Sequence, residues 1–436
     1  MKKGHIVSVL VLLSALLLGG CAVRTVDELY SIPKRSKEFQ SLQASIDIAM
    51  AGLEYSAPIS GENQQTLQIA DLNGDGTNEY LVFAKGSAEK PLQILIFRED
   101  SSGTVQISEI ISGSGSTFDM VEYVEIDGKP GCELVVGYRV SDQLLKTVSV
   151  YSFAAGRAEL LMTTGYSRFL SCDLGSSDQM ELLILQRGES DEDNAIATLY
   201  RYQAKTMVRT VEVRLSNPIQ QVNRLTTGSL PSGIPAVFIS SAVDDTLLFT
   251  DILALDDGKL VSVPLDAGAR NGIPTLNNYF VYPDDADRDG ILELPRLIPL
   301  KPISNSWTTE DQYLIQWYTA DLDGSMINKC YTFHNFAGGW YLDIPDDIAE
   351  RLSVYQVGKN YAFFLWDEDF QAASTLYTIY ALTGSDRENQ SCEDGRFPLH
   401  KEESVIYAAR IESEGSTITQ ETLLDNFHLL YREWAN

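Results

Sequence analysis

Two acidic loops in this sequence have the residue types and the spacing of a cation site. One is residues 71–79, DLNGDGTNE, and the other is residues 285–293, DADRDGILE. Oxygen-bearing side chains at positions 1, 3 and 5 of such a loop can converge on one cation, and the glycine at position 6 permits a tight turn. Position 7 can add its backbone carbonyl, and the acid at position 9 completes the shell. We therefore predict a metal site in each loop.

The chemistry of the donors favours Ca²⁺, because several hard oxygen ligands suit this ion better than Zn²⁺ or Mg²⁺. An EF-hand would need a glutamate at position 12, where the first loop has Val82. The alternative is that Asp, Asn and Gly only form tight turns here. The predicted ligands of the two structural sites are Asp71, Asn73, Asp75, Thr77 and Glu79, and Asp285, Asp287, Asp289, Ile291 and Glu293.

Comparable loops elsewhere in the chain have lost donors. Lys129 stands where an acid is needed between Asp127 and Glu133, and residues 228–236 contain no acid. A third loop keeps Asp173 and Glu181 but has Gly175 and Ser177 at the positions between them. We expect metal at the two complete loops and at none of the others.

The loops belong to an internal repeat of about 50 residues, in which a short buried strand follows each loop position. The strand recurs at residues 79–83, 133–136, 181–185, 235–239 and 293–297. A second strand with aliphatic and aromatic residues recurs at residues 94–97, 150–153, 199–202, 252–255, 315–318 and 376–380. The sixth copy follows residues 361–365 and has lost the acidic loop.

A β-unit of this length, repeated in phase, is typical of a β-propeller. The predicted fold is therefore all-β, a propeller of about six blades (seven is possible) with an N-terminal and a C-terminal helix. A pair of β-sandwiches is the alternative, although it would not require regular spacing. The predicted segments are a signal peptide at 1–20, a lipidated cysteine and tether at 21–35, a helix and lead-in at 36–64, propeller repeats at 65–412 and a terminal helix at 413–436.

This arrangement resembles the FG-GAP/VCBS repeats of integrin-α-like propellers, and in particular the lipoproteins of clostridia-like bacteria that carry them. The resemblance covers most of the chain after Cys21, and the ten ligands named above match its calcium loop. It implies that calcium braces the blades while partners bind at the faces of the propeller.

The N-terminus has the layout of an export signal. Lys2 and Lys3 precede an apolar run, and the run ends in Leu18-Gly19-Gly20-Cys21. This ending resembles a lipobox, which implies that Cys21 is acylated and that the protein is anchored to the outer face of the cell membrane. A permanent transmembrane helix is the alternative, but the run is shorter than the roughly 20 residues that a span needs.

The composition limits the partners. The net charge of −28 argues against nucleic acid, which is bound through clusters of Lys and Arg. The same acidity fits calcium loops, basic partners or simple solubility. Cys132, Cys172, Cys330 and Cys392 form no CxxC pair, and three disulfide pairings or unpaired thiols remain open.

The sequence favours a binding role over catalysis. His334, His400 and His428 lack the spacing of zinc ligands, and no G-x-S-x-G motif is present. We expect a surface binding or scaffold module for a protein or glycan. The alternative is a hydrolase or lyase acting on polysaccharide, with Trp307, Trp340 and Trp366 as candidates for lining a sugar site.

Overall fold

The computed structural model describes most of the chain. The described residues are 37–140, 146–175, 179–188, 190, 193–216, 218, 221–242, 247–265, 273–276, 281–303, 312–412 and 418–430. The predicted signal peptide, Cys21 and the tether lie outside them. The fold is mostly β, as the sequence predicts, and its described strands form six antiparallel sheets.

The described chain forms two compact units. The first contains the residues before Pro58 together with Gln65–Ala70 and Asn78–Gly113. The second contains Pro58–Gln64, Asp71–Thr77 and the chain from Ser114 onward.

The first unit combines one helix with sheet 1. Helix α1 spans Lys37–Ala49, where the sequence predicts a helix. Leu42 and Ile46 are four residues apart and therefore share one helix face, which packs on Val82, Leu95 and Phe97 of the sheet. The strands of sheet 1 are β1 Glu54–Tyr55, β2 Leu67–Ala70, β3 Glu79–Lys85, β4 Leu92–Glu99 and β5 Val105–Gly113.

Sheets 2, 3 and 4 are each built from consecutive strands of the second unit. Sheet 2 contains β6 Thr117–Val124, β7 Glu133–Arg139, β8 Lys146–Ser152 and β9 Glu159–Tyr166. Sheet 3 contains β10 Arg168–Cys172, β11 Glu181–Gln186, β12 Ile196–Gln203 and β13 Thr206–Arg214. Sheet 4 contains β14 Gln221–Ser229, β15 Pro235–Ala242, β16 Leu247–Asp256, β17 Lys259–Ser262 and β18 Ile273–Leu276.

Sheets 5 and 6 complete the second unit, which also contains the short helices α2 (Asp346–Ala349) and α3 (Arg387–Gln390). Sheet 5 contains β19 Leu294–Pro299, β20 Tyr313–Ala320, β21 Met326–Asn335 and β22 Trp340–Ile344. Sheet 6 contains β23 Leu352–Val357, β24 Asn360–Trp366, β25 Ala373–Thr383, β26 Phe397–Lys401 and β27 Val405–Ile411. Strand β27 lies between β25 and β26.

The C-terminal segment differs from the helix that the sequence predicts over 413–436. Helix α4 spans only Gln420–Asn426. The side chain of Thr419 caps its N-terminus, as the sequence predicts. The chain then extends as β28, Phe427–Leu429, which pairs antiparallel with the free edge of β22. The prediction of a continuous helix was wrong because Phe427 packs between Trp340 and Tyr407, and this tertiary contact outweighs the helical pattern.

The sheets of the second unit bury their faces against one another in chain order. One apolar cluster joins sheets 2 and 3, and further clusters join sheets 3 and 4, 4 and 5, and 5 and 6. Strands covered on both faces need apolar residues at successive positions. For this reason Leu182–Leu185 and Ala236–Ile239 read as continuous apolar runs in the sequence.

The strand register repeats from sheet to sheet. In sheets 1, 2, 3 and 5, the strand that follows the second recurring strand contains one extra residue, which forms a β-bulge. The extra residues are Ser108, Leu161, Thr210 and Lys329. The repeat seen in the sequence is therefore a structural repeat, down to the position of an irregularity.

In each repeat, a loop precedes the first of the two recurring strands. Within the second unit, the loop of one repeat lies close to the loop of the next repeat. A Cβ atom on Gly74 would lie 2.2 Å from the carbonyl carbon of Pro130, and one on Gly128 would lie 2.4 Å from the side-chain nitrogen of Gln179. A larger side chain at Gly74 would therefore push its loop away from the backbone of the next one, whereas one at Gly128 would displace the flexible side chain of Gln179.

Two further points concern the described residues only. None of their helices has the length and apolar character needed to cross a membrane. Their four cysteines form no disulfide.

Candidate metal centre

The loop from Asp285 to Glu293 leads into strand β19 and brings three carboxylates together. One oxygen from each of Asp285, Asp287 and Asp289 can be chosen so that all three lie within 4.8 Å of one another. Asp287 and Asp289 are exposed, whereas Asp285 is half-buried. This triad could hold a metal ion.

Hydrogen bonds from the backbone shape this loop. The N–H of Gly290 donates to Oδ2 of Asp285 over 3.1 Å, and the N–H of Ile291 donates to Oδ1 of Asp289 over 2.9 Å. The N–H of Asp289 likewise donates to Oδ1 of Asp287. Aspartate favours this arrangement because its short side chain reaches the backbone two residues on. The backbone thus turns the three side chains toward one point.

Glu293, the last acid of the loop, is fully buried. Its Oε2 accepts a hydrogen bond of 2.8 Å from the N–H of Ala286. Burial, together with the nearby charges of Asp287 and Asp289, raises the pKa of Glu293 to about 7. The positive charge of Lys329 offsets only part of this rise.

Two buried oxygen atoms of this site have no hydrogen-bond partner among the described residues. They are Oε1 of Glu293 and Oδ1 of Asp285. A buried polar atom without a partner is costly, and native proteins usually satisfy it with a protein group, water or an ion. The donors are all oxygen, so the residues fit a hard cation such as Ca²⁺. Asp285, Asp287, Asp289 and Glu293 would hold it.

Lys329 is the cationic side chain in contact with this loop. Its Nζ lies 2.5 Å from Oδ2 of Asp289 and 3.1 Å from Oδ2 of Asp287. The hydrogen bond from Lys329 lowers the pKa of Asp289, and the same contacts raise the pKa of Lys329. The single charge of the lysine thus offsets part of the negative charge of these two carboxylates.

The first loop, Asp71–Thr77, has the same backbone pattern. The N–H of Gly76 donates to Oδ2 of Asp71 over 2.9 Å, and the N–H of Thr77 donates to Oδ1 of Asp75 over 2.8 Å. The N–H of Asp75 donates to Oδ1 of Asn73. Positive φ angles occur at position 4 of both loops, 72° at Gly74 and 63° at Arg288. The two sequences therefore specify the same turn.

The two loops differ in their charged groups. Asn73 replaces one aspartate, so the triad of carboxylates described above is found only at residues 285–289 within the described part of the chain. Glu79, at the start of β3, is buried and accepts a hydrogen bond of 2.8 Å from Nε of Arg98. The structure thus supports a cation site at the second loop, and a site at the first loop stays a prediction.

Internal cations also serve the degraded loops, a feature that sequence reasoning missed. Arg201 pairs with Glu181, as Arg98 pairs with Glu79. In the loop before β7, Lys129 Nζ lies 2.6 Å from Oδ2 of Asp127. The two arginines face their glutamates only through the pairing of adjacent strands, so spacing along the chain gave no signal for them.

The other predicted candidates are accounted for as follows. Trp340 is 1% exposed and Trp366 is 8% exposed, so neither can present a broad face to a sugar, while Trp307 lies outside the described residues. Burial lowers the pKa of His334 to about 3, which keeps this side chain neutral. The imidazole of His428 lies 2.8 Å from the carboxylate of Asp343, on neighbouring strands of sheet 5.

Comparison with known proteins gives no family. No protein-family model matches the chain, and no curated protein sequence matches it. Among solved structures, it is similar to a protein from Lactobacillus plantarum with 10% identity and a TM-score of 0.27, covering 73% of this chain and 86% of that one. It is also similar to rhamnogalacturonan lyase YesW with 12% identity and a TM-score of 0.29, covering 74% of this chain and 72% of that one. At these scores, neither similarity bears on the function of this chain.

Proposed function

We propose that this protein is an exported, lipid-anchored binding or scaffold module, built on a β-propeller of about six blades and braced by calcium. The observation that carries the calcium brace is the pair of buried carboxylate oxygens, Glu293 Oε1 and Asp285 Oδ1, that have no hydrogen-bond partner among the described residues. A cation bound there joins the loop before β19 to the start of that strand.

A structural role for the ion fits its surroundings better than a catalytic one. Glu293 is buried at the start of β19, and its Oε2 already holds the backbone of the loop. An ion bound to Glu293 would be tied to the fold rather than presented to a substrate. Calcium accordingly acts as a brace, and the binding surface lies elsewhere on the protein.

The propeller proposal is supported by the packing within the second unit. Sheets 2 to 6 follow one another in sequence and bury apolar clusters between successive pairs. A propeller stacks its sheets in this order. The bulge at the same register in four sheets also supports repetition of one β-unit.

The proposed localisation and the proposed partner are supported by the sequence alone. Residues 1–21 have the features of a lipoprotein signal, and the net charge of −28 disfavours nucleic acid. The proposed ligand is a protein or a glycan bound at a face of the propeller.

Thermal unfolding in calcium and in excess chelator tests the brace. The wild-type protein is expected to unfold at a higher temperature in calcium, because an ion that binds only the folded state stabilises it. Glu293→Gln should reduce this difference, whereas the exposed Glu368→Gln, which removes the same charge elsewhere, should retain it. An equal unfolding temperature in calcium and in chelator for the wild type would refute the calcium brace.

The binding role is tested by crosslinking the tagged protein in cells and identifying captured molecules by mass spectrometry. A reproducible partner that is lost when residues 65–436 are deleted, so that only the signal, Cys21, the tether and the N-terminal helix segment remain, supports the module. Capture that persists without residues 65–436 would assign binding to the N-terminal segment instead.

A further inference from the structure

Lys329 occupies a repeated position in the fold. It is the extra residue of the β-bulge in sheet 5, as Ser108 is in sheet 1 and Thr210 in sheet 3. The hydroxyls of Ser108 and Thr210 donate to the carbonyls of Ile96 and Leu199, within their own sheets. A bulge re-aims a side chain, and only in sheet 5 is the re-aimed residue a lysine that contacts an acidic loop.

The lysine satisfies only part of the acidic loop. Its Nζ contacts Oδ2 of Asp287 and Oδ2 of Asp289, but Oδ1 of Asp285 and Oε1 of Glu293 remain without partners among the described residues. Glu293 is fully buried, so its unpartnered oxygen is shielded from water. The loop therefore carries more negative charge than one lysine compensates.

We propose that Lys329 is a tethered counter-ion that competes with the divalent cation for Asp287 and Asp289 and so sets the affinity of this loop. The inference rests on the proposed cation site. The ammonium group and the ion need the same carboxylates, and each repels the other at this distance. Without the ion, Lys329 limits repulsion among the aspartates, and with the ion it must withdraw from at least one of them.

At two other repeats of this protein, a cationic side chain compensates the charge of the buried glutamate at the start of the strand. Arg98 contacts Glu79 and Arg201 contacts Glu181, each from the adjacent strand of the same sheet. Sheet 5 has Thr319 where those sheets have arginine, as judged from the pairing of Leu294 with Tyr318. Lys329 consequently reaches the loop from the third strand and approaches its outer carboxylates only.

Calorimetric titration of the purified, chelator-treated protein with CaCl₂ tests this inference. Lys329→Met removes the charge and keeps the apolar stem, while Lys329→Arg retains the charge. Lys359→Met is the control for net charge, because Lys359 lies in the exposed turn between β23 and β24, outside the acidic loop. Circular dichroism and thermal unfolding establish that each variant is folded, and Lys329→Gln serves as a second neutral variant.

The expected result is that Lys329→Met and Lys329→Gln bind Ca²⁺ about tenfold more tightly than the wild type, because one competing charge at short range is removed. Lys329→Arg and Lys359→Met should remain close to the wild type. Unchanged or weaker binding by both neutral variants, with the wild type binding, would overturn the role of Lys329 and leave the cation site standing. No heat of binding in the wild type or in either neutral variant would overturn the cation site itself.

Discussion

The Nε atom of Arg98 lies 2.8 Å from Oε1 of Glu79, and so a buried glutamate at the start of a strand receives its positive charge from the next strand. Arg201 serves Glu181 in the same way. At Glu293 the corresponding position is Thr319, which carries no charge. Under the proposed cation site, the positive charge comes from an arginine at Glu79 and Glu181 and from a bound cation at Glu293.

Thr319→Arg should make sheet 5 independent of calcium, because the new guanidinium can reach Glu293 as Arg201 reaches Glu181. The difference between the unfolding temperatures in calcium and in chelator is expected to be smaller for this variant than for the wild type, because only the site at residues 285–293 is affected. Thr319→Val, which changes the side chain without adding charge, is the control and should keep the wild-type difference. If Thr319→Arg shows the same difference in unfolding temperature between calcium and chelator as the wild type, an arginine cannot replace the cation at Glu293.

Glu293 should make the calcium-free protein less stable as the pH rises. Its pKa is about 7 in the folded protein and 4.5 is the reference value, so the folded state holds the proton more tightly. Stability therefore falls as the pH rises from about 4.5 to about 7, by at most about 3 kcal/mol. Denaturant unfolding in chelator at several pH values should show this fall.

Glu293→Gln is the matched variant for this pH dependence, because it stays neutral throughout. It should lose less stability over the same pH interval than the wild type does. If both proteins show the same slope, Glu293 is not the group that titrates in this window.

Phe427→Ala should destabilise the protein by about 3 kcal/mol, since it empties a buried aromatic site. Phe427 packs at centroid distances of 5.6 Å from Trp340 and 5.4 Å from Tyr407, and these rings belong to sheets 5 and 6. Leu424→Ala is the control in the same segment, because Leu424 is 40% exposed. Equal effects of the two substitutions on chemical denaturation would show that β28 does not dock as described.

Cys21→Ala should abolish lipid attachment if the N-terminus is a lipoprotein signal. Metabolic labelling with a clickable fatty acid is expected to mark the wild type and Cys392→Ala but not Cys21→Ala. Membrane fractionation should move Cys21→Ala to the soluble fraction. Labelling of Cys21→Ala would place the acyl group on another residue.

The sequence predicted the strands of this fold well, since apolar runs such as Leu134–Val136 are buried on both faces and leave a continuous signal. The turns of the two acidic loops could also be predicted from the sequence, because Asp, Asn and Gly determine them locally. The bulge at Lys329 was not, because it depends on the register between two strands. Arg98 was also missed as the partner of Glu79, as the pairing follows from sheet geometry rather than from spacing along the chain.

The C-terminal strand shows the limit of periodicity. Leu423 and Phe427 are four residues apart and fit a helical face, but only Leu423 lies in a helix. The free edge of β22 offers backbone hydrogen bonds that a helix at Phe427 would leave unmade. Nothing in residues 419–430 alone reveals that edge.

The position of β28 also governs the order in which the chain can fold. Sheets 1, 2, 3, 4 and 6 each use strands that are close in sequence, so each can form soon after its residues emerge during synthesis. Sheet 5 needs Phe427–Leu429, which follow the whole of sheet 6. The edge of β22 thus stays open to other strands until the end of the chain is delivered, and slow delivery or truncation would expose it to aggregation.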